Sequence, residues 1–125
     1  MKKKSTTLTL SLKRKWFDLI KSGVKREEYR EYNEYWGSRF FVREPAFKDW
    51  IHVRIDYTEL VFTLGYPKKD DMSRRLVFKN PRIQIRTGKP EWGAEPNKIY
   101  FVITWDSAND EAKSISTDNL REEPV

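Results

Sequence analysis

The sequence predicts an α+β fold: a small mixed β-barrel, closed or half-closed, with one or two packed α-helices. Three observations predict it. One early segment carries apolar residues at helical spacing, and most segments after it read as strands at short intervals. Only 38% of the 125 residues are hydrophobic, yet five Trp, six Tyr and seven Phe supply enough ring area for one compact core. There is no internal repeat and no linker long enough to separate two domains. Residues 1–106 are therefore expected to form one domain. The acidic residues 107–125, poor in apolar side chains, are expected to form a disordered tail.

The elements follow in order. "TLTLSL" (7–12) alternates polar and apolar residues, as a half-buried strand does. Leu12, Trp16, Leu19 and Ile20 then recur at helical spacing, with Lys13, Arg14, Lys15, Asp18 and Lys21 on the other face. Ser11 is the candidate N-cap, and Gly23 is placed to close the helix in the left-handed region. "KREEYRE" (25–31) reads as extended chain. "NEYWGSRFF" (33–41) suggests a short helical turn around Trp36, limited by Gly37. "DWIHVRIDY" (49–57) suggests a strand, and "TELVFTLGYP" (58–67) a strand ending in a turn. "KKDDMSRR" (68–75) reads as a charged loop. "RLVFK" and "PRIQIRTG" read as two strands broken at Asn80-Pro81. "GKPEWGAEP" is loop, and "KIYFVITW" (98–105) is a buried final strand.

Charge and composition narrow the function classes. Net charge is +6 and uneven: residues 1–30 hold ten Lys/Arg against three acids, net +7, while 107–125 carry net −3. A basic front end favours phosphate-bearing partners, against the plainer reading that the charge serves solubility. With no Cys there is no disulfide framework or thiolate metal site, and a single His52 makes no His-rich zinc site. No metal or cofactor is expected. The start of the chain has no apolar run of the kind a secretory signal needs, and no stretch nears the roughly 20 apolar residues of a membrane span. A cytoplasmic location is the expectation. "GKP" lacks the spacing of a phosphate-binding loop, and no calcium loop, zinc finger or helix-turn-helix pattern is present.

The stretch 25–31 breaks the pattern of a barrel strand. If it is extended throughout, Arg26, Glu28 and Arg30 share one face and Lys25, Glu27, Tyr29 and Glu31 the other, so neither face is apolar. Such charges must pair with one another, line a wet cleft, or sit on an exposed edge that resists aggregation.

Gly23-Val24-Lys25-Arg26-Glu27-Glu28-Tyr29-Arg30 fits Gly-x-Lys-x-x-Glu-x-Arg after a helix, "KRKWFDLIKSG". This resembles the signature of the ASCH domain family, within the PUA-like superfamily of small β-barrels. With "GKPEWGAEP" and "YFVI", it looks like a branch found in phages and mobile elements. The resemblance covers residues 8–105. It implies a cleft beside the motif that binds RNA or a modified nucleotide. It also implies, for some members, hydrolysis of an acetylated cytidine amide or of RNA. The amidase-like members use a motif lysine, a threonine three residues later and a distant glutamate. Lys25 matches the lysine, Glu28 stands where the threonine would be, and Glu91 is the candidate for the glutamate.

The residues suggest roles of their own. Lys25 beside Glu28 would stay cationic and contact a phosphate or oxyanion; if desolvated, it could serve as a base. Glu28 could accept from a base edge, activate water, or pair with Arg30 or Lys25. Arg30 offers a planar fork for phosphate or carboxylate. Tyr29, Trp36, Arg39 and Trp92 are candidates for the walls of a base pocket, whereas Trp16 and Trp105 fall on apolar patterns and are assigned to the core. Gly88 and Gly93 would let backbone approach a ligand closely. Arg26 joins Lys25 in the cationic cluster, and Arg82, Arg86 and Lys89 extend a basic rim. The expected function is RNA or nucleotide binding in a charged cleft. The alternatives are a small hydrolase using Lys25, Glu28 or Glu91, and a protein-interaction module.

Overall fold

The structure is a computed structural model that describes residues 7–42, 53–54 and 56–106. It is a mixed α+β fold with a five-stranded sheet and two helices. The elements are β1 (Thr7–Leu12), α1 (Arg14–Lys21), β2 (Glu28–Glu31), α2 (Glu34–Phe40), β3 (Phe41–Val42), β4 (Val53–Arg54), β5 (Glu59–Leu64), β6 (Arg75–Thr87) and β7 (Ile99–Asp106). Short 3₁₀ turns occur at Met72–Arg74 and Pro90–Trp92. His52, the basic residues Lys2, Lys3 and Lys4, most of the 49–57 segment and the expected tail at 107–125 lie outside the described residues.

The sheet order is β1-β5-β6-β7-β2. β1 and β5 are parallel, with Thr7 opposite Glu59, and every other ladder in that sheet is antiparallel. β1 and β2 are its two ends, but they approach each other: an Arg30 Nη2 on β2 donates to the Ser11 carbonyl of β1 at 2.9 Å. β3 and β4 pair as a separate two-stranded ribbon.

The period-2 pattern of β1 is realised, with Leu8, Leu10 and Leu12 buried. They pack with Leu60 and Phe62 of β5, Phe101 and Ile103 of β7, and Phe17 and Ile20 of α1. β7 also buries its opposite face. Tyr100 and Val102 pack with Tyr29 and Ala94 under the loop that carries Trp92. Burial on both faces explains why this strand reads as an unbroken apolar run.

Several local expectations are corrected. Ser11 ends up within β1, and the N-cap of α1 is Lys13, which makes no side-chain cap bond. Gly37 does not limit α2; the helix runs through it, because Asn33 caps the start by accepting from the Trp36 N–H at 3.0 Å and Gly37 itself is buried. Asn80-Pro81 does not split two strands. β6 continues through it as one 13-residue strand, with a register shift between Lys79 and Arg82. The proline lacks a donor and Asn80 adopts φ 52°, so the extra residue is absorbed as a bulge.

Gly23 performs the predicted role. It adopts φ 87°, its N–H donates to the Ile20 carbonyl, and the Val24 N–H donates to the Leu19 carbonyl, both at 3.0 Å. This is a Schellman closure. The Lys25 N–H also donates to the Leu19 carbonyl at 3.0 Å. Lys25 is thereby tied to the end of α1, ahead of β2.

A candidate ligand hollow beside the ionic motif

Lys25 is 2% exposed and Glu28 is 6% exposed, unusual values for a lysine and a glutamate. They are paired. Lys25 Nζ lies 2.9 Å from Glu28 Oε1, and Arg30 Nη1 contacts the other carboxylate oxygen, Oε2. One carboxylate is thus clamped by two cations through different oxygens. Lys25 Nζ also donates to the Trp92 carbonyl at 2.6 Å and lies 4.6 Å from the Trp16 ring and 5.0 Å from the Tyr29 ring. Burial is the largest influence on the Lys25 amine and lowers its pKa below the ordinary lysine value; the Glu28 carboxylate pulls it back part of the way. The amine gives hydrogen bonds to a carboxylate and a carbonyl, two acceptors that favour its charged form. The cationic role fits this arrangement better than the base.

This cluster borders a hollow of about 440 Å³ between α1, β2 and the Trp92 loop. Trp16, Trp36 and Trp92 contribute to its walls, and Lys25, Glu28, Tyr29 and Arg30 also line it. Trp36 is fixed by stacking on Phe40 at a centroid distance of 5.6 Å, and the Arg30 guanidinium lies 5.2 Å from its ring. Trp92 is held by the carbonyl that Lys25 grips. The Tyr29 hydroxyl accepts from the Lys89 N–H at 2.9 Å and donates to Glu27 at 2.8 Å, so the same loop is tied down at a second point. Glu27 in turn pairs with Arg86 at 2.7 Å. Burial works against the Glu27 carboxylate, but the hydrogen bonds from Arg86 and Tyr29 outweigh it and hold its pKa below the usual value.

The sequence-derived candidates therefore divide. Lys25, Glu28, Tyr29, Arg30, Trp36 and Trp92 are brought together around the hollow. Lys25 and Glu28 face each other there, so the alternating-face reading of 25–31 is corrected: the strand starts at Glu28, and Lys25 belongs to the bend before it. Arg39 lines a different, larger hollow that also includes Arg30 and Trp36. Arg86 is engaged with Glu27, and Lys89 Nζ lies 4.8 Å from the Trp92 ring. Arg26 and Glu91 are exposed and are not among the residues lining either hollow. Arg82 pairs with Asp106 at 3.0 Å, away from the hollow.

Two assignments by pattern are overturned. Trp16 is half-buried and forms a wall of the hollow, while Phe17, its neighbour, takes the core position. Gly88 and Gly93 leave room for aromatic rings of the protein. A Cβ on Gly88 would fall 2.5 Å from the Tyr29 ring, and one on Gly93 would fall 3.0 Å from Trp16. Trp105 packs against the core beside Phe62 and Phe78, as expected. Sequence reasoning missed Lys13, Glu31, Glu95 and Tyr100 as lining residues. They come from four separate segments, and no local pattern joins them.

Among the described residues, no helix is long and apolar enough to cross a membrane. No family model matches the chain, no curated protein matches it, and no solved structure matches it.

Proposed function

We propose that this chain is an ASCH-like domain of the PUA-like superfamily that binds RNA or a nucleotide, with one base held in the hollow beside the motif. The observation that carries this reading is the convergence of Lys25, Glu28 and Arg30 on one hollow with three tryptophans in its walls. Its volume of about 440 Å³ falls within the usual range for small-ligand sites. Indole faces suit a flat heterocycle, and base–aromatic stacking is worth about 1–3 kcal/mol per base. The Arg30 bridge between the two end strands supports a half-closed barrel, with the hollow at the seam.

The ionic cluster is the frame of this pocket. Both Glu28 oxygens are occupied, and Lys25 is committed to Glu28 and Trp92. Ligand selection then falls to Arg30's remaining N–H groups and to the rings. A hydrolase reading draws support from one feature, the Lys25 amine, whose hold on its proton is weakened by burial even though the Glu28 carboxylate beside it strengthens that hold. It requires Lys25 or Glu28 to leave its present partners during turnover.

The test is a titration of nucleosides and 5′-monophosphates, including acetylated cytidine, followed by tryptophan fluorescence and by product analysis. Saturable quenching without turnover is expected. Release of acetate or of a shortened product, lost in Glu28→Gln, would replace the binding reading with the hydrolase. Absence of quenching by every member at millimolar concentration would reject both and favour a protein partner.

A further inference from the structure

We propose that the larger hollow is a phosphate track for the strand whose base enters the motif hollow, so that the ligand is a single-stranded nucleic acid of several nucleotides. This rests on reading the motif hollow as a base pocket. The second hollow, of about 900 Å³, runs beside β1 and is lined by Arg30, Arg39 and Arg75, with no acidic side chain among the described residues that line it. The motif hollow is different: Lys13, Lys25 and Arg30 are balanced there by Glu28, Glu31 and Glu95. A balanced pocket suits an uncharged heterocycle, and an all-arginine groove suits anions. A nucleotide joins those two chemistries covalently, and the hollows adjoin, since Ser11, Arg30 and Trp36 line both.

The arginines of the track keep donors to spare. Arg39 lies 4.3 Å from the Tyr35 ring and donates one Nη2–H to its hydroxyl at 2.7 Å, and among the described residues its other N–H groups have no acceptor. Arg75 Nη2 donates to the Lys68 carbonyl at 3.0 Å, while its Nε is buried and has no acceptor among the described residues. Tyr66, also on this groove, is 94% exposed, which leaves its ring free to stack a further base.

The experiment measures binding of labelled hexauridylate and hexaadenylate by fluorescence anisotropy between 50 and 200 mM salt, with the free nucleosides titrated in parallel. Three phosphate contacts on a single strand give a log–log salt slope of about −2, or roughly 18-fold weaker binding across that range. The double variant Arg39→Gln/Arg75→Gln is expected to flatten the slope to about −0.7, a loss of roughly 2.6-fold, with nucleoside binding unchanged. Arg39→Gln alone, at an exposed side chain, is expected to flatten it by about 0.7 and keeps the test open if Arg75 is needed for folding. Ribose and deoxyribose hexamers are compared, and either kind binding with this slope supports the track. A hexamer that binds no tighter than its nucleoside, or variants with the wild-type slope, would overturn the track and leave the base pocket standing. Hexamer binding with the arginine-dependent slope but no nucleoside binding would keep the track and remove the base pocket, and binding of neither would reject both.

Discussion

Lys25→Met removes the ammonium while keeping an unbranched, flexible chain in place. Three attachments are lost at once: the 2.9 Å pair with Glu28, the 2.6 Å bond to the Trp92 carbonyl, and the position beside the Trp16 and Tyr29 rings. Glu28 remains buried with Arg30 on its other oxygen, so its charge is not wholly abandoned. One-sided loss of a buried pair costs about 3–5 kcal/mol, and the surviving Arg30 contact argues for the lower end, about 3 kcal/mol. For a domain near 100 residues each kcal/mol moves Tm by roughly 4–8 °C, so a fall of about 12–24 °C is expected. Circular dichroism melts and urea titrations measure it. The double variant Lys25→Met/Glu28→Gln should lose less than the sum of the two single variants, because the carboxylate left exposed to burial in one is neutralised in the other. A Lys25→Met protein within about 1 kcal/mol of wild type, or strictly additive variants, would refute the view that this pair frames the hollow.

Other consequences are independent of that one. Trp36→Leu removes a ring shared by both hollows while leaving an apolar side chain against Phe40, and should weaken nucleotide binding by roughly 5–150-fold, read by titration of the folded variant. Glu27, held below its ordinary pKa by Arg86 and Tyr29, binds protons less readily folded than unfolded. Its stabilising contribution is therefore present above its unfolded pKa near 4.5 and lost as pH falls below it, and Glu27→Gln should flatten that acid limb in melts between pH 6 and 3. Gly88→Ala drives a methyl to within 2.5 Å of the Tyr29 ring and 2.8 Å of the Ala94 methyl, and should cost about 1–3 kcal/mol in urea denaturation.

Much of the fold was legible because its signals are local. Gly23 closes α1 through a conformation that glycine adopts at little cost, and β1 and β5 follow their apolar patterns. The fate of Trp16 was not local. Helical spacing gave it and Phe17 neighbouring directions, and only the arrival of the Trp92 loop, over 70 residues later, made one a wall and the other core. The charged stretch was legible as an anomaly: too ionic for a barrel strand, it had to be paired or wet. The structure combines the two, since Lys25 and Glu28 neutralise each other and still border a hollow. The bend that separates Lys25 from β2 could not be read from alternation, which assumes extended chain throughout. Asn80-Pro81 misled for a related reason: a proline that breaks a regular ladder is accommodated in a bulge.

The most direct test is an NMR titration with nucleosides and 5′-monophosphates that follows the indole N–H signals of all five tryptophans together with the backbone of residues 23–31. Saturable shifts at Trp16, Trp36 and Trp92 and along the motif, with Trp105 unmoved, are the predicted result. Shifts confined to other surfaces, or none at millimolar ligand, would contradict a base pocket at the motif.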